Sequence, residues 1–106
     1  MDPKTVSETF RQIIAGDDIP APEGMLRTIS AKYVTKRLPG FPYTILENLW
    51  HAVFWQNIWL NKIEGKKVRS FMEDWQSPDP SEFPALRKEF VANLEKARKI
   101  AGARAF

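Results

Sequence analysis

The chain predicts an all-α fold, and three observations carry that prediction. Apolar residues recur at steps of three and four through most of the sequence, no stretch alternates apolar and polar residues with period 2, and Pro and Gly fall where helices would start and stop. The length of 106 residues bounds the architecture to one small domain. With 43% hydrophobic and 12% aromatic residues the composition suits a packed core and argues against intrinsic disorder.

Residues Pro3 to Ala15 carry Val6, Phe10, Ile13 and Ile14 near helical spacing, and Gly16 stands where a left-handed terminator belongs. Pro3 is compatible with this helix because the first turn has no partner for its missing N–H. The run Asp17-Asp18-Ile19-Pro20-Ala21-Pro22 reads as a linker, since each proline pushes the residue before it into an extended conformation. Met25, Leu26, Ile29, Tyr33, Val34 and Leu38 resume the helical spacing, as one helix or as two if Ser30 caps a piece from Ala31 to Arg37. Leu38-Pro39-Gly40-Phe41-Pro42 is a turn.

Thr44 to Glu64 is the most informative segment. Thr44-Ile45-Leu46-Glu47 is a capping-box pattern and Gly65 is a stop, so a rod of roughly 30 Å is expected between them. Glu47, Asn48, His51, Gln56, Asn57, Asn61 and Lys62 are too many polar residues for a membrane span. Ile45, Leu46, Leu49, Ala52, Val53, Leu60 and Ile63 form one apolar face, which Trp50, Phe54, Trp55, Ile58 and Trp59 extend around much of the helix. Such a helix is expected at the centre of the fold, or with a second interface against another subunit. Lys66 to Ser77 reads as a loop with a helical turn. Asp79-Pro80-Ser81-Glu82 then starts a last helix, with Leu86, Phe90, Leu94, Ala97 and Ala101 on one face and Arg87, Lys88, Lys96, Arg98 and Lys99 on the other. It reads as a surface helix that frays after Gly102.

The absence of Cys excludes disulfides, thiolate metal sites and cysteine nucleophiles. A net charge of +3 is too mild to point to nucleic acid, and the basic face of the last helix reads most simply as a solvated surface. No run of ~18 apolar residues and no signal-like leader is evident, so the expectation is a cytoplasmic protein without a membrane partner. The single histidine, His51, is either a metal ligand or proton carrier, with Glu47 one turn back to orient it, or a hydrogen-bonded interior residue. The four tryptophans line either a ligand pocket or a core and dimer interface, and their apolar neighbours favour the second.

The segment Arg37-Leu38-Pro39-Gly40-Phe41-Pro42-Tyr43-Thr44-Ile45, followed by Leu49-Trp50-His51 and Trp55-Gln56, resembles the DinB-like superfamily. There a Pro/Gly turn and an aromatic residue or His precede a capping Ser or Thr and a long helix with a His about two turns in. Asp74-Trp75 and the helix from Glu82 are in keeping with it. The resemblance implies a four-helix bundle, usually dimeric, with a divalent metal held by three histidines, and in several relatives thiol-dependent transferase or hydrolase chemistry. Carried onto this chain, it implies that His51 is the first ligand of zinc, nickel or iron, with Glu47 and Asn48 supporting it and Tyr43 and Trp55 as pocket walls. The family's other two ligands form an H-x-x-x-H pair on a later helix, which this sequence does not contain.

The expectation is therefore an incomplete DinB-like bundle of about three main helices and a short one, truncated at its C-terminus and covered by homodimerisation. Two functions remain open at this point. One is a relative of metal-dependent enzymes acting on a thiol or other small molecule, unable to build the full metal site alone. The other is a non-catalytic helical interaction protein.

Overall fold

The computed structural model describes residues 2–16, 21–67 and 75–103, and within them all regular structure is helical. The linker expected at Asp17 to Pro20, most of the loop from Lys66 to Ser77, and the tail from Arg104 lie outside the described residues.

Helix α1 (Pro3–Ala15) begins with the Asp2 carboxylate accepting from the Lys4 amide, and ends at Gly16, whose φ of 78° is the left-handed stop that its sequence predicts. Helix α2 (Pro22–Thr28) starts on its proline, which places Pro22 inside a helix and not in the linker. The spacing through Leu38 resolves into α2 and a single 3-10 turn at Ala31–Tyr33, where the Tyr33 amide donates to the Ser30 carbonyl. That turn sets Val34, fully buried, beneath the next helix.

Helix α3 (Ile45–Ile63) carries the predicted capping box in full, with Thr44 and Glu47 satisfying each other's backbone amides. The Leu46 amide, another donor without an intrahelical partner, reaches the Val34 carbonyl at 2.9 Å. A second capping box, Asp79 with Glu82, opens the 3-10 turn Pro80–Glu82, which runs into helix α4 (Phe83–Ala103) with Pro84 in its first turn.

Val34, Leu46, Leu49, Val53, Phe83 and Leu86 make the main core cluster, with Leu26, Ile29, Ile45, Trp50 and Phe90 packed against it. This core lies where the first half of α3 meets the start of α4 and the α2 region. The far end of α4 packs on α1 through small residues. Ala101 is buried, the Ser7 hydroxyl donates to the Arg98 carbonyl at 3.1 Å, and a Cβ on Gly102 would come within 3.2 Å of that hydroxyl.

Helix α4 is the surface helix expected, with only Phe83, Leu86 and Ala101 buried, yet it is also the element that α1, α2 and α3 all contact, while α3 packs chiefly on α4. Amphipathic spacing shows that α4 has a buried face but not how many neighbours share it. The radius of gyration, 15.0 Å, exceeds the ~13 Å of a compact domain of this length, consistent with a fold that leaves a side of α3 uncovered.

Candidate functional site

Two regions of α3 merit consideration: its polar first turns and the apolar stripe along its length. At the first turns, Glu47 is a buried carboxylate with every oxygen engaged. Its Oε1 accepts from the Thr44 amide at 2.9 Å, and its Oε2 accepts from the Ser77 hydroxyl at 2.5 Å and faces the Arg37 guanidinium at 3.5 Å. Arg37 also donates to the Pro42 carbonyl, so one side chain ties the Pro/Gly turn to the start of α3. The Ser77 hydroxyl, the Thr44 amide and the Arg37 charge hold the Glu47 carboxyl below its ordinary pKa against the opposing effect of burial. The positive end of the helix dipole favours a carboxylate at this position.

Next to this network stands a three-layer stack. The Trp75 indole lies between the Tyr43 ring, 3.7 Å away and 13° from parallel, and the His51 imidazole, 3.8 Å away and 10° from parallel. Trp75 has a φ of 60°, a left-handed conformation that is strained for a bulky residue and persists only where surrounding contacts hold it. Stacking by Trp75 and hydrogen bonding by Ser77 thus anchor one segment over the start of α3.

The sequence-predicted site residues separate into two environments. Tyr43 and His51 meet through Trp75, and Trp55 touches His51 edge-on at a centroid distance of 6.4 Å. Glu47 is occupied as a cap and latch, through Thr44, Ser77 and Arg37. Asn48 donates to the Thr44 carbonyl and borders an apolar cleft on another side of the helix. Among the described residues no three His, Asp or Glu side chains come together in a way that could hold a metal ion. The donors present do not fit the three-ligand centre that the family resemblance implies.

Ser77 is the residue of this region that sequence reasoning did not assign a role, and it lies 30 positions from the carboxylate it meets. Trp75 was expected among the pocket or core tryptophans, but not its stacking on Tyr43 and His51.

The second region is formed by Asn48, Ala52, Trp55, Trp59 and Ile63, spaced by four, three, four and four residues along one side of α3. Two adjoining clefts follow this stripe and share Ala52. The first, about 440 Å³, lies between α3 and the side chains of Pro22, Met25, Leu26 and Phe90. The second, about 350 Å³, lies between Trp55, Trp59 and Ile63 of α3, Phe10 of α1, and Leu94 and Ala97 of α4. Together they form an apolar trough floored by α4. Trp59 is 54% exposed on it, Met25 51% and Ile63 41%. Polar groups on its floor are paired: the Asn93 amide donates to the Gln56 and Asn57 side chains, and Gln56 donates to the Phe90 carbonyl.

Fold and site thus define an all-helical chain with a tightly latched helix start and a long apolar trough. No helix among the described residues is long and apolar enough to cross a membrane. Comparison with protein-family profiles, with curated proteins and with solved structures yields no match for this chain.

Proposed function

We propose that the chain is a DinB-like helical module whose role is association, and that the occupant of the trough is a second copy of the chain. The observation that carries this reading is the trough itself: exposed Trp59, Met25 and Ile63 are contiguous with it, and its polar floor is already satisfied internally. Apolar surface on this scale is unfavourable in water and favours burial against another surface. The same stripe forms one wall of the trough and carries the exposed Trp59 and Ile63, so two copies related by a two-fold axis can cover each other with identical residues. Two tryptophans near the middle of such a contact would supply a large share of its energy.

The metal-dependent reading is carried by the resemblance alone and needs ligands beyond His51. The two readings separate in one set of measurements. Light scattering coupled to size exclusion at roughly 10 μM should give a dimer, and Trp59→Asp should give a monomer of unchanged helical content. A monomeric parent chain would overturn the proposal. Stoichiometric zinc, nickel or iron in the purified protein, lost in His51→Ala, would return the function to metal chemistry.

A further inference from the structure

The seam between α2 and α4 has a second side, facing away from the trough, and it is charged. Glu23 and Arg27 from α2, with Arg87, Lys88, Val91 and Ala92 from α4, line a cleft of about 440 Å³. Three cations thus share one open cavity with a single carboxylate. Glu23 offsets only Arg27, at 3.8 Å, in a pair exposed on both sides. Two other cations on the α4 surface are neutralised, Lys96 by Glu64 at 2.8 Å and Arg98 by Glu95, and Lys99 is exposed outside the cleft. Among the described residues no carboxylate pairs with Arg87 or Lys88. The Arg87 guanidinium is steadied instead by the ring of buried Phe83, 5.9 Å away.

We infer that this seam is a binding site for a phosphate monoester. Two guanidinium groups from different helices line the one cleft and offer the paired N–H donors that phosphate oxygens accept, and Lys88 adds a third charge. The cleft is of small-molecule size, about the ~300–1,000 Å³ of ligand sites, so there is room for the organic part of the ester over Val91 and Ala92. Two of the chain's three net positive charges are concentrated here, three cations less one carboxylate. The site does not depend on the trough or on its occupant.

Titration of the labelled protein with glucose 6-phosphate, followed by amide chemical shifts, tests this. Saturable shifts should be confined to α2 and α4 around Glu23, Arg27, Arg87 and Lys88. Arg27→Gln and Arg87→Gln should each weaken binding about tenfold. Glu23→Gln should strengthen it, because it removes the only negative charge in the cleft, whereas Lys99→Gln on the same helix should change nothing. Sedimentation with phosphatidylcholine vesicles carrying phosphatidic acid distinguishes the sources: binding to vesicles but not to the sugar phosphate assigns a lipid headgroup, and the reverse assigns a soluble ester. Loss in Arg87→Gln is required in either case. Shifts scattered over all basic residues, equal weakening by Lys99→Gln, or no saturation of either probe by roughly 10 mM would overturn the site.

Discussion

The first turns of α3 and its outer stripe belong to the same helix, yet they solve opposite problems. At the start, polar groups are matched within the chain: the Thr44, Leu46 and Glu47 amides have acceptors, and the Glu47 carboxylate meets Ser77 and Arg37. Along the stripe the chemistry is apolar, and Trp59 and Ile63 remain in contact with water. Polar groups can be satisfied by one or two directed bonds from nearby loops, so a short chain can complete that end by itself. Apolar area needs a comparable area laid against it, and a bundle with few helices has little to spare. One end of α3 is thus satisfied within the chain, while its side keeps apolar surface exposed.

The contrast is broken most forcefully by Leu46→Ala. Leu46 is 1% exposed in the main core, and its truncation should cost about 2–5 kcal/mol in urea unfolding. Trp59→Ala removes a larger side chain from the same helix but should leave the stability of the isolated monomer within about 1 kcal/mol, because that residue is half in water already. Equal losses for the two variants at low protein concentration would show that the stripe is covered within the chain. The capped end is tested by Thr44→Ala, expected to cost about 1–2 kcal/mol by leaving the Glu47 amide without its acceptor. Its effect should be independent of protein concentration, unlike that of Trp59→Asp.

Local patterns account for the parts of the structure that sequence reasoning reached. Thr44 and Glu47 are three residues apart, so their reciprocal bonds follow from helix geometry, and Gly16 marks its stop for the same reason. The apolarity of α3 on nearly all sides was equally evident, and in the fold α3 packs chiefly on α4 while Trp59 and Ile63 stay exposed. Which side stays open was not, since that depends on where α1 and α2 settle against α4. The latch through Ser77, the stack on Trp75 and the cleft shared by Arg27 and Arg87 join residues far apart in the chain. Nothing in the spacing of either partner records such a contact. The same limit hid the role of α4: its alternating faces were visible, but three neighbours cannot be counted from one stripe.

The smallest effect is the most specific probe of the latched end. Glu47 has its folded pKa held below the ordinary 4.5, so the folded state binds fewer protons than the unfolded chain as pH enters the carboxylate range. Its contribution to stability is therefore fully present above about pH 4.5 and is lost as pH falls through the lower folded value. Glu8, Glu64, Asp79 and Glu95 are shifted in the same direction by their own partners, so acid weakening of the parent chain alone would not identify Glu47. Glu47→Gln isolates it. The amide keeps an oxygen for the Thr44 backbone, as capping boxes with Gln do, but loses the charge that Ser77 and Arg37 recognise. The variant should lie about 1 kcal/mol or less below the parent at neutral pH, with the gap closing as pH falls below 4.5 and the parent carboxyl itself becomes neutral. A gap that stays constant from neutral pH until acid unfolding of the parent would mean that shape rather than charge holds the 75–79 segment against α3, and would leave Trp75 stacking as its main anchor.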